Sequence, residues 1–407
     1  MKIITTLAIL TVSTLSLAGA PGKDEQVDSL LAGGKKITSL TEITKSGLNK
    51  ADSKLDVWSG SYWPQYQGSI AVRYLDPMFR PMVEQEYKVQ WKAHHELREA
   101  NPVYSCTNTD NLSPAEKYDM LVGDREFTLT KYAWDLGKKN GGEASGKVPT
   151  WRGICDGWSS ASQKMPRPVK DVVINDPDGK PIRFFPEDIK ALGSLLYARA
   201  QSAPAFLGKR CRMPLGALCG DINPATFHLA LINRVGGMGQ SFIADIAPGR
   251  EVWNYPVKGY EAKFYNVFTD VESADFTAAM ESFDKKKKFK KRESRHPETA
   301  YIVGVKMTVN FADMRLPYTA EDKVLTQTFT YDLELNARME IVGGEGVGKL
   351  PDFIWAPLDR TYPLSLAEKN LGAPNESWDI PNLSRESAMA GQPLSMIVQR
   401  LFEASKK

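Results

Sequence analysis

Residues 223–248, NPATFHLALINRVGGMGQSFIADIAP, hold two apolar runs around a glycine-rich centre, with His228 in the first run and Asp245 in the second. Read as strands, the runs close a hairpin at Gly236-Gly237, a pairing that suits the positive φ angles of tight turns. That register sets His228 directly opposite Asp245, so the two side chains share a face with Cβ atoms about 4.5–5.5 Å apart. A slide of two positions keeps them on one face as diagonal neighbours, whereas an odd slip separates them. An imidazole held by a carboxylate is what a general base needs, because the carboxylate fixes the tautomer and stabilises the protonated ring. The other histidines suit the role less: His94 and His95 lie in a polar stretch and His296 follows a lysine run, so all three read as exposed.

Upstream, WRGICDGWSSA (151–161) sets Cys155 ahead of a segment that continues as a helix to Pro166. A thiol on the first turn of a helix feels the positive end of its dipole, which with a cationic partner lowers the pKa from about 8.5 toward roughly 3.5–7.5. The negative charge of Asp156 opposes this. The chain order Cys155, His228, Asp245 looks like the papain-like arrangement, in which a thiol on a helix meets an imidazole on a sheet. It predicts an α+β fold with helices packed on an antiparallel sheet. The main-chain N–H of Cys155 is a candidate oxyanion donor, and Trp158, one turn on, is a candidate wall against water. Plainer readings stand beside these: Cys155 paired with Cys106, His228 as a hydrogen-bonded core residue, and Asp245 as a turn former ahead of Pro248-Gly249.

Met1-Lys2, the apolar run from Ile3 to Leu17 and Ala18-Gly19-Ala20 read as a secretory signal cleaved after Ala20 or Ala18. The run is short for a membrane span, so no transmembrane segment is expected and the mature chain is read as secreted or periplasmic. Its 407 residues, 42% hydrophobic and 25% charged, are of globular composition, and a net charge of +3 gives no reason to expect nucleic acid as a partner. In an oxidising compartment, Cys211 and Cys219, separated by a short loop holding Pro214 and Gly216, read as a local disulfide.

Residues 21–57 read as a flexible arm, 58–280 as a papain-like catalytic core, 281–298 as a basic linker, and 299–407 as a β-rich part completing the fold. The aromatic residues crowded between Trp58 and Tyr74 read as packing. Ser113, Pro114 and Glu116 spell a capping box at a helix start, and Pro186 with Glu187 and Asp188 opens another helix. INDPDGKPIRF (174–184) reads as a hairpin turn, and alternation over 301–311 and 325–335 predicts two half-buried strands. A loop-rich tail from Pro351 and a helix near Leu394–Ala404 finish the chain.

In order, LSPAEKYDMLVGD, WRGICDGWSSAS, FFPEDIKALGSLLYARA, CGDINPATFHLALINRVG and DIAPGREVWNYPVKGY resemble the transglutaminase elicitor family of oomycete cell-wall proteins and bacterial relatives, from about Trp58 to Trp355. The resemblance implies a protein-glutamine gamma-glutamyltransferase with Cys155 as nucleophile, His228 as base and Asp245 as its orienting partner. It implies calcium as a cofactor, although carboxylates such as Asp176, Asp178 and Asp221 have no spacing that names a site, and protein substrates with accessible Gln and Lys side chains. It further implies plant immune recognition of residues 252–260. Where this chain has Asp156 the family usually has histidine. The alternatives are a papain-like cysteine peptidase or amidase, and a non-catalytic elicitor or toxin-like binding protein with Cys155 oxidised to Cys106.

Overall fold

The computed structural model describes residues 25–84, 91–103, 108–142, 147–200, 204–211, 220–247, 249–283, 295–319, 321–357, 362–369, 371 and 378–407. Helix α1 (Pro114–Leu121) begins on the expected capping box, with Ser113 and Glu116 exchanging hydrogen bonds and Pro114 inside the first turn. Helix α2 (Thr128–Gly137) follows, then α3 (Cys155–Lys164). The hairpin of β1 (Val172–Asn175) and β2 (Pro181–Phe184) is turned as expected, with Asp176 Oδ1 accepting from the main-chain N–H groups of Asp178 and Lys180. Helix α4 (Pro186–Ala200) lies so close to α3 that a Cβ on Gly157 would sit 1.9 Å from the Ser194 carbonyl oxygen. Only glycine permits that approach. Asp188 does more than favour a helix dipole: it is fully buried and accepts from Lys117 Nζ at 2.6 Å and Tyr74 Oη at 2.9 Å. Trp58, Trp63, Tyr66 and Tyr74 fill the core of this helical layer, as expected of the aromatic-rich stretch.

The second layer is a curled antiparallel sheet. Its main path uses β3 (Ala205–Gly208), β4 (Ile243–Asp245), β5 (Asn254–Tyr265), β6 (Tyr301–Ala312), β7 (Val324–Leu335), β8 (Ile341–Gly346) and β9 (Phe353–Ala356), in the order β8-β7-β6-β5-β4-β9-β3. The predicted alternation is realised in β6 and β7, which pair from Tyr301↔Leu335 to Ala312↔Val324. Between β3 and β4 the chain forms helix α5 (Pro224–Ala230), and the last helix, α6 (Ser395–Ser405), lies close to the predicted one. The α+β expectation holds: helices pack on an antiparallel sheet.

One expectation is corrected. The arm expected to be flexible is, over residues 25–57, built into the fold: Leu30, Leu40 and Ile43 are fully buried, and Lys50–Asp52 pairs with β5. A few apolar anchors hold it, too sparse among Lys, Ser, Thr and Gly to give a period. The region after residue 299 joins the same sheet, where β6 pairs with β5. Within the loop-rich tail, β9 inserts between β3 and β4. The basic run at 284–294 lies outside the described residues.

Candidate active site

The expected hairpin over 223–248 is not formed. Asn223 caps α5 with its side chain, Pro224 occupies the first turn, and the helical path continues through Leu231–Gly237 before reaching β4. An Asn-Pro pair ahead of an apolar run is a helix-start signal, and it outweighs the strand-like look of the run. His228 is therefore a helix residue and has no strand register with Asp245.

The two faces of the sheet then separate the residues. Ala244, Tyr255 and Ile354 point to the face that packs with Phe227 of α5 and with Phe329 and Tyr331 of β7. Side chains alternate along a strand, so Ile243 and Asp245, and Phe353 and Trp355, point the other way, as does Asn254, the cross-strand partner of Asp245. His228 belongs to the first face: it is fully buried, its Nδ1 lies 2.9 Å from Tyr331 Oη, and its Nε2 has no hydrogen-bond partner. Burial pulls its pKa down to about 3, so the ring is neutral. It is the core histidine of the plainer reading. His94, read as exposed, is also fully buried, and desolvation lowers its pKa to about 4.

Cys155 meets the other face. It opens a ten-residue helix, α3, and is only 6% exposed. The preceding turn is held by the Ile154 N–H on the Tyr62 carbonyl at 2.7 Å. Asn254 Nδ2 donates to Cys155 Sγ at 3.4 Å, Asn254 Oδ1 accepts from Trp355 Nε1 at 2.8 Å, and the thiol donates to the Val252 carbonyl at 3.8 Å. Next along the chain from Val252, the Trp253 ring meets the Tyr62 ring edge to face at 5.2 Å. Asp245 Oδ1 accepts from Trp253 N–H at 2.9 Å and Ala247 N–H at 3.4 Å, while its buried Oδ2 has no hydrogen-bond partner.

Electrostatics here run against the helix-dipole expectation. Burial pushes the Cys155 thiol up to about 11, the charges of Asp156 and Asp245 push the same way, and main-chain and side-chain N–H groups of Asn254 pull it down. Desolvation of a thiolate costs more than one helix end returns. Asp156 is itself raised, chiefly by burial, with Arg199 opposing. Burial lifts Asp245 to about 7, aided by the charge of Asp352, against the N–H donors of Trp253 and Ala247. Of the three residues expected to act together, the structure brings Cys155 and Asp245 to one face of the sheet, with Asn254 and Trp355 beside them; the opposition of Asn254 to Asp245 needed the β4–β5 register.

Cys155 is a free cysteine, which removes its pairing with Cys106. Cys211 is disulfide-bonded, and both Cys219 and Cys106 lie outside the described residues, so the expected Cys211–Cys219 pairing stands as a proposal. The three carboxylates named beside calcium are each engaged by protein groups. Asp176 closes its own turn, Asp178 pairs with Arg125, and Asp221 is taken by Lys349 and the Leu350 N–H. Among the described residues there is no group of three or more His, Cys, Asp or Glu side chains that could hold a metal.

An α+β fold that sets a buried free thiol at a helix start against carboxylate and amide side chains on a sheet is the class of structure this chain defines. The chain belongs to the transglutaminase elicitor family, whose model matches residues 35–372. Its structure is similar to the crystal structure of the GP42 transglutaminase from Phytophthora sojae, with a TM-score of 0.61 and 23% identity, covering 95% of this chain and 98% of that one. At that identity the likeness speaks for the fold. No curated protein matches the chain. Among the described residues, no helix is long and apolar enough to cross a membrane.

Proposed function

We propose that this chain is a secreted protein-glutamine gamma-glutamyltransferase whose nucleophile is Cys155. The observation that carries the reading is a free cysteine at the start of α3, hydrogen-bonded by Asn254 and within the electrostatic reach of Asp245, in a member of the transglutaminase elicitor family.

Asp245 takes the thiol proton. Its carboxyl, lifted to about 7 and with one unpartnered oxygen, is suited to accepting and returning a proton near neutral pH. The Cys155 sulfur attacks the carbonyl carbon of a glutamine side chain, forming a C–S bond. The C–N bond then breaks, the departing nitrogen takes the proton held by Asp245, and ammonia leaves. A lysine amine attacks the thioester, gives its proton back through Asp245, and restores the thiol with an isopeptide bond as product. His228 has no part in this route.

With Cys155 almost closed from solvent, substrate reaches it when the Val252–Trp253 segment and the Tyr62 ring part. The same closure keeps water from the thioester, which favours amine transfer over the hydrolysis a peptidase or amidase performs. Residues 252–260, proposed as the plant-recognised stretch, are thereby also the cover of the site and the start of its strand β5. Calcium remains an assay variable, and no step is routed through it.

The test is incorporation of a fluorescent primary amine into a glutamine-rich protein, with and without calcium, beside Cys155→Ala. Incorporation lost in the variant supports the transferase. Folded protein with a free thiol and no incorporation refutes it, and new N-termini in the protein substrate would assign a peptidase instead.

A further inference from the structure

We infer that Asn254 is a catalytic residue of this site, its side-chain amide stabilising negative charge on the Cys155 sulfur, and that Trp355 is the positioning residue that aims the amide. Its consequence for turnover rests on the transferase reading above; the charge on sulfur does not.

An asparagine amide presents an acceptor and a donor end of nearly equal shape. The indole Nε1 of Trp355 is a donor only, so the Asn254 atom 2.8 Å from it must be Oδ1. The NH2 end is then turned toward Cys155 Sγ, 3.4 Å away. Chemistry, rather than shape, sets this orientation. Asn254 and Trp355 are 4% and 5% exposed, so the chain of contacts indole, amide, sulfur lies out of water.

The other contacts at sulfur sharpen the role. The main-chain N–H of Asn254 also favours the thiolate, whereas the Val252 carbonyl accepts from the protonated thiol and is left without that donor when the proton leaves. Thiol sulfur is a weak acceptor, but hydrogen bonds to an anion are shorter and about twice as strong as neutral ones. Burial and the charges of Asp156 and Asp245 all oppose the thiolate. Asn254 is the residue that opposes them. Strand pairing explains how: Asn254 stands opposite Asp245 in β5–β4, and β9 lies along the other edge of β4 with Trp355 on the same face.

Alkylation by iodoacetamide reports thiolate reactivity without any transfer chemistry, and steady-state amine incorporation reports turnover. Both are measured for the full mature chain and for Asn254→Ala, Trp355→Phe and the double variant, with folding followed by thermal melting. Asn254→Ala is expected to slow alkylation about tenfold or more and to lower kcat with KM little changed. Trp355→Phe keeps ring bulk and loses the indole N–H; it is expected to slow both several-fold. If Trp355 acts through Asn254, the double variant is no slower than Asn254→Ala alone. A folded Asn254→Ala that is alkylated at the wild-type rate overturns the assignment, and so does a fully additive double variant. A wild type with these alkylation shifts and no amine incorporation refutes the transferase and supports the Asn254 assignment.

Discussion

The two faces of the sheet near β4 bury polar side chains to different ends. On the α5 face, His228 sits among Phe227, Phe329 and Tyr331 with one hydrogen bond to a tyrosine hydroxyl, held neutral by burial. On the α3 face, Asn254 links Cys155 to Trp355 by hydrogen bonds, and Asp245 stands opposite Asn254 with the N–H groups of Trp253 and Ala247 on one of its oxygens. Each face leaves one buried polar atom without a hydrogen-bond partner, His228 Nε2 on the first and Asp245 Oδ2 on the second, but only the second places it on the face that carries the proposed nucleophile Cys155. A buried histidine is thus no better a candidate base than a buried aspartate; what matters is which face of the sheet it occupies.

Changes that remove chemistry from the α3 face should have the largest effects. Asp245→Asn removes the proton acceptor while keeping the shape, and amine incorporation should fall about 10²- to 10⁴-fold with the melting temperature nearly kept. A fall below tenfold would move the base elsewhere. Next in size is pH dependence. Asp245 accepts a proton only when ionised, so below about pH 7 the rate should drop roughly tenfold per unit and level off above it. Asp352→Asn takes away a negative neighbour that raises Asp245, so the midpoint should move to lower pH. A midpoint moving upward would contradict this sign. Smaller still, Asp156→Asn removes a charge that raises the thiol, and alkylation of Cys155 at neutral pH should speed up several-fold.

Much of the architecture was legible because local rules and tertiary structure agree. The capping box at Ser113, the turn at Asp176 and the alternation of β6 and β7 each need only neighbouring residues to be recognised. Cys155 was found through the helix that follows it, and Asp245 through its strand. His228 was misplaced because LALINRVGG is apolar enough for either a strand or a buried helix, and periodicity does not separate the two for short runs. The Asn223-Pro224 start is the signal that does. Asn254 and Trp355, about a hundred residues apart in sequence, meet only because β9 threads beside β4, a long-range pairing that no local pattern encodes.

The most direct test of the central claim compares His228→Gln with Cys155→Ala in one amine-incorporation assay, with melting curves for both. Losing the bond to Tyr331 should cost His228→Gln about 1–3 kcal/mol of stability while the folded protein keeps incorporation close to wild type, and Cys155→Ala should keep its fold and lose the activity. A folded His228→Gln as inactive as Cys155→Ala would contradict the account and return the imidazole to the chemistry.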